Sequence, residues 1–310
     1  MAKPDEAELI LDDEEIRTIY PKIDPRRINF YLNLSVRSAK IEKIWIHYSD
    51  GGIKELPRCQ IHAFLSAKRG CFKSTRIDQM RAIYPDDIVL KDQVSYAALV
   101  GSIDKESKTY NVPLAIRADG KVLVLDEIVR DKKGDFTKAL LQLSERGEYR
   151  KDVALTSKPT SQYDGRFTVQ NGEITVKSRF ALIMASMYSP GMFSRSQSGA
   201  ALLNRMIVLY FDLTSEQKIS VFNSSQPLYS DLGFNPPGVV HISTEDYQKI
   251  FEFWKSQSEE AVRNGYESYE NRSLGDLLRT FAVLGRHEET AYAEIIKLGN
   301  PKRFTVSRRR

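Results

Sequence analysis

The chain has 310 residues, pI near 9.0 and a formal net charge of +5, with 41% hydrophobic and 28% charged residues, an ordinary composition for one large α/β domain or a core with a smaller lid. No apolar run approaches the roughly twenty residues of a membrane span, and the acidic N-terminus lacks the basic-then-apolar order of an export signal. Two cysteines, Cys59 and Cys71, and four scattered histidines supply neither zinc-ligand spacing nor a disulfide framework. The expectation is an intracellular protein without membrane contact, cytoplasmic and nucleoid-associated if the source is prokaryotic or viral.

Charge is unevenly distributed. The first fifteen residues include Asp5, Glu6, Glu8, Asp12, Asp13, Glu14 and Glu15, whereas the chain ends in Lys302-Arg303 and Arg308-Arg309-Arg310. A basic body suits a polyanionic partner such as DNA, and equally an ordinary solvated surface rich in Lys and Arg.

In chain order, 24–40 is predicted helical, 43–48 a strand, and Ser49-Asp50-Gly51-Gly52 a turn. Ala67-Lys68-Arg69-Gly70-Cys71-Phe72-Lys73-Ser74-Thr75 then has the character of a phosphate loop. Gly70, Cys71, Phe72, Lys73, Ser74 and Thr75 would cradle an anion with backbone N–H groups and a helix N-terminus. Ile77, Met80, Ile83 and Tyr84 recur at helical spacing behind it, and Pro85 ends the run.

About fifty residues later Val122-Leu123-Val124-Leu125 runs into Asp126-Glu127. A short, wholly apolar run fits a strand buried on both faces of a parallel sheet, whose carboxyl end opens onto a ligand crevice. Two carboxylates there fit nucleoside-triphosphate hydrolysis: Asp126 with Ser74 on Mg²⁺, Glu127 as general base, and Lys73 on the β/γ-phosphates of ATP.

Between loop and acids lies a lysine-rich tip with Lys105 and Lys108. After the acids, Phe136, Ala139, Leu140 and Leu143 mark an amphipathic helix closed by Gly147. Arg166 to Gln170 and Glu173 to Lys177, split by Asn171-Gly172, predict a β-hairpin. Buried strands follow at 180–185 and 206–211, the second preceded by Leu202-Leu203-Asn204-Arg205. Beyond about residue 235 the pattern is helical. Ser243 and Asp246 suggest a capping box ahead of Tyr247, Ile250, Phe251 and Trp254, and further helices end near Gly265, Gly285 and Gly299. The expected division is an N-terminal acidic arm and helix (1–42), an α/β ATPase core (43–235) and a helical lid with a basic tail (236–310).

This order of elements resembles the AAA+ ATPases that carry a pre-sensor-1 hairpin, and within them the minichromosome maintenance (MCM) helicase core, over roughly residues 61–290. The MCM phosphate loop also lacks Gly immediately before its Lys and keeps one three positions before, as Gly70 stands to Lys73. Ala118-Asp119-Gly120 resembles the family segment leading into the acidic strand. Leu202-Leu203-Asn204-Arg205 resembles its Leu-Leu-Ser-Arg, which makes Arg205 the arginine finger acting on a neighbouring subunit. Arg272-Ser273-Leu274 with Arg279 resembles the lid helix, making Arg272 the sensor-2 candidate.

The chain also departs from the family. Phe72 replaces a small residue, and the sensor-1 Asn has no counterpart, Ser186 being the nearest substitute. The hairpin tip has Gln170 and Asn171 where the family has a DNA-facing Lys; Lys177, Lys105 and Lys108 are the remaining DNA-contact candidates. The family's N-terminal oligonucleotide-binding domain with its zinc module and its winged helix are not recognisable, so a stripped core or part of a longer protein is expected. The resemblance implies a homo-oligomeric ring, a hexamer, that hydrolyses ATP with Mg²⁺ to translocate on or unwind DNA in replication. A protein-remodelling AAA+ ATPase and a weakly hydrolysing nucleotide-binding scaffold are the alternatives.

Overall fold

The computed structural model describes residues 20–103, 110–126, 134–152, 160–194, 197–264 and 271–299. Glu127, Lys105, Lys108, the acidic arm and the basic tail lie outside them.

The chain enters through a 3-10 turn, Pro25–Arg27, capped by the Asp24 carboxylate, which accepts from the Arg26 N–H. Helix α1 (Ile28–Ser38) follows, then β1 (Lys43–His47), β2 (Ile53–Glu55), β3 (His62–Ala67), α2 (Lys73–Ile83) and β4 (Ile88–Asp92). A short helix α3 (Tyr96–Val100), the small ladder β5 (Ser102–Ile103) and β6 (Tyr110–Asn111), and α4 (Leu114–Arg117) lead to β7 (Val122–Asp126). Next come α5 (Asp135–Arg146), β8 (Glu148–Asp152), β9 (Thr160–Gln162), β10 (Phe167–Gln170), β11 (Glu173–Lys177) and β12 (Ala181–Ser186). The last stretch holds α6 (Pro190–Ser194), α7 (Gln197–Leu203), β13 (Met206–Phe211), α8 (Ser215–Asn223), β14 (Val239–Ile242), α9 (Thr244–Arg263), α10 (Asn271–Leu284) and α11 (Glu289–Gly299).

Five strands form the central sheet in the order β13-β3-β12-β7-β4, every neighbouring pair parallel. Because side chains alternate along a strand, each strand feeds both faces. Ala63, Leu65, Val122, Val124 and Leu209 pack with Ile28, Tyr31, Ile77, Met80 and Leu277 from α1, α2 and α10. Phe64, Leu123, Leu125 and Met184 pack on the other side with Ala139, Leu140 and Leu143 of α5 and with Phe167, Val169, Ile174 and Val176 of the hairpin. Cover on both faces is why these strands are apolar without alternation.

Two smaller sheets flank this core. The predicted hairpin forms as β10–β11, with Asn171 and Gly172 at φ 53° and 76°, the left-handed pair that matches strand twist. It sits inside a four-stranded antiparallel sheet, β8-β11-β10-β9. The polar Glu148-Tyr149-Arg150-Lys151-Asp152 gives no strand signal of its own and is recruited by pairing with β11. The third sheet, β14-β1-β2, pairs β1 with β14 in parallel, so one strand on each side of the 235/236 boundary contributes.

Two local readings need correction. Ile83 is 43% exposed: six residues beyond Ile77 it lies about 240° around the helix, and the buried stripe is Arg76, Ile77 and Met80. At α9 the Ser243 hydroxyl accepts from the Asp246 N–H, but the Asp246 carboxylate takes the Ser243 hydroxyl and faces His287 at 3.0 Å, so the reciprocal half of the box is missing. A complete capping box forms instead between Thr214 and Gln217 at α8.

Candidate functional site

The site is built at the carboxyl ends of β3, β12 and β7, where two loops and a helix N-terminus meet. β3 ends at Ala67 and the chain turns through Lys68 to Phe72 into α2. Gly70 is at φ +76° with no atom within 4 Å of where a Cβ would stand. Phe72, the residue before the first helical position, is also left-handed, at φ 58° and ψ 33°. That conformation explains why glycine suits the position, and for a phenylalanine it costs about 1–2 kcal/mol. Phe72 recovers part of that by packing half-buried against the core.

Lys73 Nζ donates to the carbonyls of Ala67 at 2.6 Å and Lys68 at 3.2 Å, so the ammonium lies over the loop it belongs to. Ser74 Oγ donates to Asp126 Oδ2 at 2.8 Å. This contact brings together two residues 52 positions apart. Hydroxyl and carboxylate are the hard oxygen donors that Mg²⁺ takes. Thr75 is exposed on the same turn, and Cys71 is buried, its thiol 3.6 Å from Asp212 Oδ1. Asp212, just past β13, also faces Lys68 Nζ at 3.4 Å. Burial raises its pKa, but Lys68 and Cys71 outweigh that and leave it below the usual carboxylate range. Sequence patterns did not single out Asp212, since an Asp after an apolar strand is commonplace.

Ser186 ends β12, between the loop strand and the acid strand, in register with Ser66. Its hydroxyl accepts from the Tyr188 N–H at 3.1 Å and the residue is 1% exposed. Ser66 Oγ donates to the Tyr188 carbonyl at 2.8 Å, so the two serines together shape the turn after β12.

Beside the phosphate loop lies a cleft of about 840 Å³. Its lining includes Arg76, one turn into α2, Leu213, next to Asp212, and Pro25, Asn29, Gln217 and Ser230; no residue of the 68–72 loop lines it. Arg76 is buried and donates to the Leu228 carbonyl at 2.7 Å, its Nε has no partner, and burial pushes its pKa down to about 10. The cleft has the size of a nucleoside site.

Arg205 and Arg272 stand at the opposite, amino-terminal edge of the sheet. Arg205 precedes β13; its Nη2 meets Glu145 Oε1 at 2.7 Å and its Nη1 the Ala201 carbonyl at 2.6 Å. Arg272, in the first turn of α10, donates to the Asn204 carbonyl at 3.4 Å. Arg58, which the sequence did not single out, and Arg279, noted with Arg272 as part of the lid-helix resemblance, complete the cluster. Arg58 donates to the Arg205 carbonyl at 3.4 Å and to Asp276 Oδ1 at 3.3 Å; Arg279 donates to Asp276 Oδ1 at 2.6 Å and to the Arg58 carbonyl at 2.8 Å. Burial, then the Arg279 charge, pushes the Arg58 pKa down.

The hairpin residues are dispersed. Gln170 and Asn171 are at the tip, where Gln170 pairs with Glu173 and Glu173 with Asp152. Lys177 is at the other end of β11, about 14 Å along the strand from Glu173, with Glu148 at 3.9 Å. Arg150, on the same outward face, is held by Glu148 at 2.6 Å. The described tip therefore carries carboxylates, and Lys177 is not part of it. Lys105 and Lys108 lie outside the described residues.

Neither a family model nor a curated protein matches the chain. Among solved structures it is similar to a full-length MCM homolog from Methanopyrus kandleri, with a TM-score of 0.53 and 15% identity, over 99% of this chain and 63% of that one. The chain spans less than two thirds of that relative, and at this identity the likeness is one of fold: an α/β core with a five-stranded parallel sheet flanked by helices. No helix among the described residues is long and apolar enough to cross a membrane.

Proposed function

We propose that this chain is an MCM-like AAA+ ATPase that assembles as a ring and works on DNA. The observation that carries the reading is the Ser74–Asp126 hydrogen bond of 2.8 Å at the carboxyl end of a parallel sheet, directly under a glycine-bearing loop that ends in a helix N-terminus. ATP with Mg²⁺ fits this donor set: Gly70 leaves open space on the loop, Lys73 supplies the charge, and Ser74 and Asp126 supply oxygen ligands. Bound there, the metal would neutralise charge on the phosphates. Lys73 and the first N–H groups of α2 would orient them, and Glu127 would draw the proton from water.

Arg205 and Arg272 are at the far edge of the sheet from Lys73, and that placement supports a role toward a second copy. A guanidinium brought to the γ-phosphoryl group from a neighbour stabilises the developing charge and is worth roughly 10³–10⁵ in rate. Subunits carrying Glu127→Gln should rescue subunits carrying Arg205→Ala on mixing, since one retains the finger and the other the base.

One observation favours a second reading. Asp152 pairs with Glu173 beside the hairpin turn, and with Arg150 facing Glu173 at 3.8 Å the turn has carboxylates where a DNA-binding tip would present uncompensated positive charge, which suits an AAA+ protein acting on a polypeptide. Steady-state turnover with and without single- and double-stranded DNA, across protein concentrations that span assembly, separates the two. DNA stimulation that Glu127→Gln abolishes is the expected result. DNA-independent turnover moves the reading to protein remodelling, and no turnover at any concentration moves it to a scaffold.

A further inference from the structure

Within one chain Arg205 is held in place on three sides. Its side chain is 13% exposed, Nη2 is on Glu145, Nη1 is on a backbone carbonyl, and Nε is buried without a partner. A guanidinium so enclosed cannot touch a second molecule without leaving Glu145. The Glu145 side chain is 41% exposed, in the last turn of α5. Burial raises the Glu145 pKa, but the hydrogen bond and charge of Arg205, then the charge of Arg272, outweigh it and hold it ionised.

The anchor under Glu145 is rigid. The preceding residue, Ser144, offers its carbonyl to His62 Nε2 at 3.1 Å, while His62 Nδ1 accepts from the Leu182 N–H at 3.0 Å. These two bonds define a neutral imidazole with its proton on Nε2 and tie the end of α5 to β3 and β12. On the other side Gly147, at φ +67°, packs so closely that a Cβ would stand 3.2 Å from Arg179 and 3.3 Å from the Ser178 carbonyl. Meanwhile the backbone carbonyls of Asn204 and Arg205 accept from Arg272 and Arg58. The backbone of the finger is thus fixed independently of its side chain, and the swing belongs to the side chain alone.

We propose that Glu145 is the positioning residue of Arg205: it keeps the finger on its own subunit and releases it when a neighbour's phosphate takes the carboxylate's place. The proposal rests on the reading of Arg205 as a residue acting in trans. The exchange is chemically even, because a guanidinium fork binds a carboxylate or a phosphate in the same planar geometry.

The test is ATP turnover as a function of full-length protein concentration for wild type, Glu145→Gln and Glu145→Asp, each with and without Arg205→Ala. Glu145→Gln keeps the shape and removes the charge. It should raise turnover about three- to tenfold at concentrations near half-assembly, with KM for ATP unchanged because Glu145 is at the far edge from its own phosphate loop. Glu145→Asp retains the charge and should follow the wild-type curve. Arg205→Ala should give the same low turnover in every background. A Glu145→Gln curve that matches or falls below wild type, or an Asp variant that behaves as Gln, overturns the proposal while leaving the trans reading intact. Full turnover in Arg205→Ala would instead remove the trans reading itself. Thermal melting identifies a variant that fails to fold, and Glu145→Ala then serves as the charge-removing variant under the same criteria.

Discussion

The two edges of the central sheet treat positive charge in opposite ways. At the carboxyl edge Lys73 lies over the carbonyls of Ala67 and Lys68, and Ser74 reaches Asp126. At the amino edge Arg58, Arg205 and Arg279 are buried against Asp276 and Glu145. On the proposed function the first arrangement is a cradle whose dipoles and charge would converge on an incoming anion. The second is offset only in part by side chains of the same chain, Arg58 and Arg279 sharing Asp276 while Arg205 takes Glu145, so on the proposed function Arg205 reaches an external anion by exchanging its internal partner. One parallel sheet produces both, because loops after the strands are gathered at one edge and loops before them at the other.

The largest expected effect tests the first edge. Lys73→Ala should lower ATP turnover by roughly 10²–10³ and abolish measurable nucleotide binding by calorimetry, with the melting temperature nearly unchanged. Binding that survives the substitution would show that the loop is only a turn before a helix.

A smaller effect separates the edges by pH. His62 is fully buried at the amino edge, and burial, then the Arg58 charge, drives its pKa well below 6.5. The folded protein keeps the imidazole neutral while the unfolded chain protonates it below that value. The unfolded state therefore binds more protons, and stability must fall as pH drops through the window beneath 6.5. Urea unfolding of the wild type should lose up to about 1.4 kcal/mol per pH unit more than His62→Gln over that range. Parallel pH profiles would show that His62 titrates alike in both states.

The smallest effect concerns Phe72. At φ 58° a glycine is relaxed and an alanine is not, while both lose the packing of the ring. Phe72→Gly should therefore be more stable than Phe72→Ala by about 1 kcal/mol in denaturant titrations. Equal stabilities would mean that the loop rearranges when the ring is removed.

Much of the core was legible because its signals are local. Val122–Leu125, the run at 206–211 and the strand before Ser186 are apolar without a break, which only a strand covered on both faces tolerates. Asn171-Gly172 announces its turn because both residues adopt left-handed backbone there. Strand β3 escaped notice since His62, Ser66 and its flanking polar residues interrupt the apolar run, and its buried histidine is satisfied only through partners 82 and 120 residues away. The lid region gave a helical pattern that hid β14, a four-residue strand whose partner β1 lies nearly two hundred residues earlier.

The candidate site divides along the same line. Gly70, Lys73, Ser74 and Asp126 were readable as types at a spacing, because an anion cradle and a metal ligand set each need particular chemistry in particular order. Glu145, Asp212, Arg58 and Asp276 carry no such pattern, since any helix end or strand end has charged residues. By itself the sequence determined the buried strands β7, β12 and β13 and the hairpin turn, all set by neighbours along the chain. Tertiary structure alone decided that β3 is a central strand, that Arg205 is held by Glu145, and that the hairpin tip is flanked by carboxylates, because strand order and register bring distant segments together and no local preference encodes them.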